Sequence, residues 1–106
     1  MSEKKVEDII KSYVSLLRHS GISVEKVFLY GSYARGEAGH ESDIDIMLVS
    51  DSVDSDNPKT KAFVWGLTRK IDTRIEPYLV SMKRFLTDDV SPLLQIVKTE
   101  GKEIPA

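Results

Sequence analysis

The sequence predicts an α/β fold, a small mixed β-sheet with helices packed on one face. Three observations carry this expectation. The chain opens with apolar residues at helical spacing, three short β-branched and aromatic runs follow at residues 24–30, 43–49 and 73–80, and helical patterns lie between the second and third runs and after the third. At 106 residues, the chain has the size of one hydrophobic core, and a single domain over residues 1–106 is expected.

Taken in order, Val6, Ile9, Ile10, Tyr13, Val14 and Leu17 predict a helix from Glu3 to about His19, with Gly21 where a terminating glycine would stand. Residues 24–30 (VEKVFLY) are too short for a buried helix and stop at Gly31, which predicts a first buried strand. Residues 31–42 (GSYARGEAGHES) form a glycine-rich loop in which Ser32 is placed to cap a helical turn through Tyr33, Ala34 and Arg35. The second strand, residues 43–49 (DIDIMLV), turns Ile44, Ile46 and Leu48 one way and Asp43, Asp45, Met47 and Val49 the other. Pro58 behind Asn57 opens a second helix with Phe63, Val64, Leu67 and Ile71 toward the core, weakened at Gly66. The third strand (TRIEPYLV) sets Arg74, Glu76 and Tyr78 on one side, and its Pro77 predicts an edge position or an irregularity. Ser81 and Ser91-Pro92 read as caps of two further short helices, the last ending at Gly101.

Composition narrows the function. With 41% hydrophobic and 30% charged residues the chain is ordinary for a soluble protein, and no apolar run reaches the length of a membrane span. The N-terminus leads directly into the first helical pattern without an apolar signal region, and the absence of cysteine removes disulfides and thiolate metal sites. A cytoplasmic protein with no membrane association is expected. A net charge of -2 gives no overall positive field for a nucleic acid backbone. Lys59, Lys61, Arg69, Lys70 and Arg74 read as a solvated helix face rather than a polyanion site.

The chemistry lies in Gly31-Ser32, then Asp43-Ile44-Asp45 after ten intervening residues, with Glu76 on the next strand. A glycine ending a strand lets backbone approach a phosphate, and Ser32 adds a hydroxyl beside backbone N–H groups. Two aspartates one residue apart on a strand point the same way, so their oxygens converge on a volume suited to Mg²⁺. Their mutual repulsion is relieved by metal, and a third carboxylate from a neighbouring strand would allow two ions roughly 3.5–4 Å apart, as in two-metal phosphoryl transfer. Glu76 is the candidate for that carboxylate and for the general base that takes the acceptor's proton, with Asp72 as its competitor. Gly-Ser and Asp-x-Asp are each common in turns when alone. Their combination carries the signal, because two charges at one end of an otherwise apolar strand need a reason stronger than solubility.

The segment GSYARGEAGHESDIDIMLV resembles the signature of minimal nucleotidyltransferases in the DNA polymerase beta-like superfamily, and the element order and the ending PLLQIVKTEGKEI resemble that family over nearly the whole chain. The resemblance implies a polymerase beta-like palm fold, nucleotide binding at Gly31, Ser32 and Arg35, and Mg²⁺, two ions, at Asp43, Asp45 and Glu76. Family strands commonly read apolar-acid-apolar at the third carboxylate, and Ile75-Glu76-Pro77 departs from this. The resemblance further implies transfer of a nucleoside monophosphate, AMP from ATP, to a tyrosine of a small helical HEPN toxin, the chain acting as antitoxin. A small hydroxylated molecule as acceptor and a non-catalytic binding module are the alternatives. The small-molecule reading needs a pocket built from a second subunit, which makes a homo-oligomer a candidate assembly.

The remaining candidates weigh less. His19 near a helix end reads as structural, and His40, within the glycine-rich loop, is a minor candidate for touching substrate. Arg35 and His40 share the Arg-x4-His spacing of the HEPN ribonuclease motif, but the following Tyr is absent and the segment is a loop. Trp65 reads as core or interface packing. Met47, Val49, Tyr78 and Val80 are expected to form an apolar surface beside the carboxylates for a partner to cover.

Overall fold

The computed structural model describes residues 2–39, 41–52 and 55–106, so the His40 candidate lies outside the described residues. The elements are helix α1 (Glu3–His19), strands β1 (Lys26–Tyr30) and β2 (Ile44–Ser50), helix α2 (Pro58–Gly66) continuing as a 3-10 turn over Leu67–Lys70, strand β3 (Ile75–Ser81), helices α3 (Met82–Thr87) and α4 (Pro92–Glu100), and the two-residue strand β4 (Lys102–Glu103). The strands form a mixed sheet in the order β3-β2-β1-β4. β1 runs antiparallel to β2 and β4, while β2 and β3 are parallel. The α/β class with a small mixed sheet is the expected one, but helices cover both faces rather than one, α1 and α2 on one side and α3 and α4 on the other.

Local chemistry explains the boundaries. Ser2 caps α1 by accepting from Lys5 N–H. The helix ends in a Schellman motif, in which Gly21 at φ +89° lets Ile22 N–H reach Leu17 C=O (2.9 Å) and Gly21 N–H reach Arg18 C=O (3.2 Å). Asn57, Ser81 and Ser91 each accept a backbone N–H at the start of α2, α3 and α4. Gly66 is where α2 tightens to 3-10 geometry, in keeping with its low helix propensity. Pro77 sits on β3, the end strand of the sheet, where proline is tolerated because one side of the strand has no ladder to lose.

Alternation divides the sheet into two faces. Val27, Leu29, Ile44, Ile46, Leu48, Ile75 and Leu79 pack under α1 and α2 with Val6, Ile10, Tyr13, Val14 and Leu17. Tyr13 is buried within this core and donates its hydroxyl to Val64 C=O at 2.6 Å, tying α1 to α2. The helix α2 presents Val64, Leu67 and Thr68 inward, whereas Phe63 and Trp65 are each 47% exposed, so the expectation of Phe63 in the core is corrected. Its alternative placement follows from α2 turning its i, i+3 pair Val64 and Leu67 to the sheet, which leaves residues 63 and 65 on its flanks.

The opposite face carries Phe28, Tyr30, Asp45, Met47, Val49, Glu76, Tyr78 and Val80. Its expected open apolar surface does not exist: Met47, Val49 and Val80 are fully buried with Leu94 and Val97 of α4 and with Met82 and Phe85 of α3. Phe85 stacks on Phe28 at 5.2 Å between centroids, and Arg84 donates to the Tyr78 hydroxyl (3.0 Å) and to Asp88 (3.1 Å). Two short helices thus seal most of this face and leave its end row, Tyr30, Asp45 and Glu76, open. Among the described residues no helix is long and apolar enough to cross a membrane.

Candidate active site

Strand register brings the candidates together. Tyr30 of β1 is paired with Asp45 of β2, and Asp45 with Glu76 of β3, so three side chains form one row across the sheet on one face. Asp43 lies just before β2, one side-chain repeat from Asp45, and is exposed. Glu76 stands beside Asp45 across the strand pair, and Asp45 and Asp43 lie close enough for their charges to raise it. Burial first, and then the neighbouring carboxyls, raise Glu76 above the usual carboxylate range. Burial likewise raises Asp45, an effect opposed by Glu76, increased by Asp43 and reduced by Arg35. Tyr30 is pushed up to about 12 by burial, then by the charges of Asp45 and Glu76.

Asp72 goes elsewhere. It accepts from Arg74 through both carboxylate oxygens (3.0 and 2.6 Å), and this pairing holds it below the ordinary carboxylate range. It closes the turn before β3, where its Oδ1 also accepts Arg74 N–H at 2.9 Å.

The strand β1 ends into Gly31, whose φ of +74° is a left-handed conformation that favours glycine. A Cβ at this position would run into the Asp45 carboxylate, so absence of a side chain here is what lets the loop lie against the acid row. The following residues form turns rather than a helix: Arg35 N–H bonds Gly31 C=O (3.1 Å) and Glu37 N–H bonds Ser32 C=O (2.9 Å). The Arg35 guanidinium pairs with Glu37 (3.1 Å) and Glu100 of α4 (3.9 Å), and its charge lowers Asp45. Arg35 thus both anchors the loop and contributes positive potential to the site. Ser42 Oγ accepts Gly39 N–H at 2.8 Å and holds the loop's return.

These groups line an open cleft of about 550 Å³. Gly31, Ser32, Arg35 and Ser42 make its loop wall, Tyr30, Asp43 and Asp45 its floor, and Leu93 and Ile96 of α4 its far wall. Sequence reasoning missed Tyr30, Leu93 and Ile96. Tyr30 was legible by strand parity, being in phase with Phe28 and one residue before Gly31. His19 bonds Ser15 C=O at 2.7 Å within α1, a structural role.

The donor set suits Mg²⁺. Among the described residues no three His, Asp or Glu side chains are arranged as a ready-made metal cage. Mg²⁺, however, takes one or two carboxylates and completes its shell with water and substrate phosphate oxygens. A set of hard carboxylate oxygens, two of them raised chiefly by burial, open to a cleft with a glycine turn beside it, fits that requirement.

The mixed sheet, with carboxylates on adjacent parallel strands beside a glycine turn, defines a nucleotidyltransferase-type α/β domain. The chain belongs to the nucleotidyltransferase domain family, which matches residues 4–104. Two Methanocaldococcus jannaschii proteins named as inferred protein adenylyltransferases are 46% identical over 52 residues and 40% identical over 47 residues. The first alignment covers 48% of this chain and 49% of that protein, and the second 44% and 46%. The chain thus matches about half the length of these relatives. Among solved structures, a toxin-antitoxin complex with AMP-PNP superimposes with a TM-score of 0.64 at 24% identity, covering 94% of this chain and 73% of that one. A nucleotidyltransferase structure from Sulfolobus solfataricus gives 0.64 at 21% identity, covering 93% and 78%. A tri-AMPylated Shewanella oneidensis HEPN toxin in complex with MNT antitoxin gives 0.60 at 21%, covering 99% and 73%. These likenesses establish the fold.

Proposed function

We propose that this chain is a single-domain, Mg²⁺-dependent protein adenylyltransferase that moves AMP from ATP to a tyrosine hydroxyl of a small helical HEPN toxin and so acts as its antitoxin. The observation that carries the reading is the register that sets Glu76 beside Asp45 on adjacent strands, with Asp43 one side-chain repeat away, next to the left-handed Gly31 turn. The names of the relatives, protein adenylyltransferases and an AMPylated toxin bound to its antitoxin, support the choice of donor and acceptor.

Asp43 and Asp45, with Glu76, would hold the metal. Bound there, Mg²⁺ would neutralise the triphosphate and make the acceptor hydroxyl more acidic. Gly31 N–H and the Ser32 hydroxyl receive phosphate oxygens, and the Arg35 guanidinium adds charge on the same side. The acceptor oxygen forms its bond to the α-phosphorus as the bond to the bridging β-phosphate oxygen breaks, and pyrophosphate leaves. Glu76, raised by burial and by its neighbours, accepts the hydroxyl proton.

Purified chain, ATP labelled in its adenine, Mg²⁺ and a small helical HEPN protein as candidate partner should together give covalently labelled partner. Asp43→Ala with Asp45→Ala should give none, and equal labelling by that double variant removes the proposal. Label confined to a small hydroxylated compound would select the alternative acceptor.

A further inference from the structure

One flank of α2 stands apart from the rest of the surface. Trp65, the chain's only tryptophan, is 47% exposed, and with Lys61 one helical turn earlier it faces the free edge of β3. Between the helix and the strand lies a pocket of about 80 Å³ lined also by Val64, Pro77, Tyr78 and Leu79. No acidic residue occurs between Asp56 and Asp72, whereas Lys59, Lys61, Arg69 and Lys70 all fall in this stretch of a chain whose net charge is -2. Among the described residues none of these four cations is in an ion pair.

The strand edge below Trp65 favours contact by side chains. Ile44 N–H bonds Arg74 C=O at 2.8 Å, and alternation along the parallel ladder then turns the backbone of Glu76 and Tyr78 toward β2 and that of Ile75, Pro77 and Leu79 outward. Pro77 offers no N–H in the middle of that free edge, so an added strand, β3 of a second copy included, would lose a bond there. Tyr78 is two residues from Glu76 on the same face, roughly 7 Å along the strand. The cleft of Gly31, Ser32 and Arg35 lies on the other side of Asp45, toward β1. A polynucleotide crossing the β3 edge would bring a run of phosphates beside Glu76, Asp45 and Asp43, whose charge repels it. A protein can set a carboxylate at Lys61 and an apolar side chain beneath Trp65 while keeping its other acids away from the row.

We infer that the Trp65 pocket, between α2 and the edge of β3, is the docking point for the acceptor protein, which it takes by an acidic segment bearing an apolar side chain. The inference rests on the protein adenylyltransferase reading and extends it from the reacting hydroxyl to the surface that selects the protein carrying it. Half-exposed aromatic rings that become fully covered supply much of the binding energy of protein interfaces, and unpaired cations around them set the charge of the partner.

The test uses the intact chain with a small helical HEPN protein as candidate acceptor. Transfer is followed together with Trp65 emission, the latter as the difference from an identically treated Trp65→Phe chain. The acceptor should shift Trp65 emission to the blue and shield it from acrylamide, and ATP with Mg²⁺ alone should do neither. Trp65→Ala should raise KM for the acceptor by about ten- to thirtyfold, with kcat within about threefold and ATP affinity by calorimetry within about twofold. Trp65→Phe, which keeps an apolar ring, should recover most of that loss. Lys61→Glu should raise KM by about three- to tenfold, and by less in high salt. An unchanged KM in Trp65→Ala and Lys61→Glu, or a matching loss of ATP affinity, overturns the docking surface. A Trp65 shift produced by raising the concentration of the chain alone, or by polyuridylate, gives the surface to a second copy or to nucleic acid and overturns it equally. If wild type binds ATP but labels no acceptor, the adenylyltransferase reading itself fails, and the docking surface with it.

Discussion

Replacing Asp45 by Asn should stabilise the metal-free protein and abolish its response to Mg²⁺. Asp45 and Glu76 face each other on parallel strands, and burial above all raises both carboxyls. A carboxyl raised in the folded state binds its proton more tightly there than in the unfolded chain. Its contribution to stability is therefore fully present below the ordinary carboxylate pKa and is lost as pH rises through the raised folded values. At neutral pH the metal-free row is in its least favourable state. A like-charged pair opposed on adjacent strands costs up to about 1 kcal/mol, and for a domain of this size about 1 kcal/mol is 4–8 °C in Tm. Both side chains keep some solvent contact, so the lower part of that range applies and Asp45→Asn should raise Tm by about 2–4 °C at neutral pH. The gain should shrink as pH falls below the ordinary carboxylate range, where the repulsion between the two carboxyls is removed. Wild type should gain about 2.7 kcal/mol of stability from Mg²⁺ at a hundredfold excess over its Kd, and the variant nothing. Thermal melts at both pH values, with and without Mg²⁺, make the comparison. A lower metal-free Tm for the variant, or a Mg²⁺ shift equal to wild type, refutes the reasoning.

Other outcomes follow from the same geometry. Gly31→Ala should lose about 1–2 kcal/mol, since it places a side chain at φ +74° and against the Asp45 carboxylate, and should lose ATP binding by calorimetry. Glu76→Gln should cut the rate of transfer by about 10²-fold or more while Asp72→Asn leaves it within a few-fold, because Asp72 is committed to Arg74. Asp72 is held low, so its contribution is present above the ordinary carboxylate pKa and lost as pH falls through the lowered folded value; acid melts of Asp72→Asn should show that loss abolished. Tyr33→Phe should be neutral or stabilising by up to about 1 kcal/mol in urea melts, because the buried Tyr33 hydroxyl has no hydrogen-bond partner among the described residues. A loss larger than about 1 kcal/mol would show that the hydroxyl is satisfied.

How far the sequence could be read depended on whether a feature was local. The helix α1 and its glycine stop, the caps Asn57, Ser81 and Ser91, the edge position of β3 and the parity of Asp45 and Glu76 are set by residues close in sequence, and all were legible. What escaped was set by packing. The strand β4 has two residues and exists because Phe28 and Leu29 offer it an edge. Periodicity alone gave Phe63 to the core, but the handing of α2 to the sheet through Val64 and Leu67 left it on the flank. The six residues of α3 carry too weak a pattern to announce that they would cover Met47 and Val49. Leu93 and Ile96 stand beside the equally spaced Leu94 and Val97 in the sequence, and only the fold shows that the first two also reach the cleft.

The most direct test of the account follows the phosphorus. With the helical partner and Mg²⁺, ATP radiolabelled at the α-phosphate should leave its label on the partner, and ATP labelled at the γ-phosphate should release it as pyrophosphate. Label retained from the γ-position would mean phosphoryl rather than nucleotidyl transfer, and the roles given to Asp43, Asp45 and Glu76 would not stand.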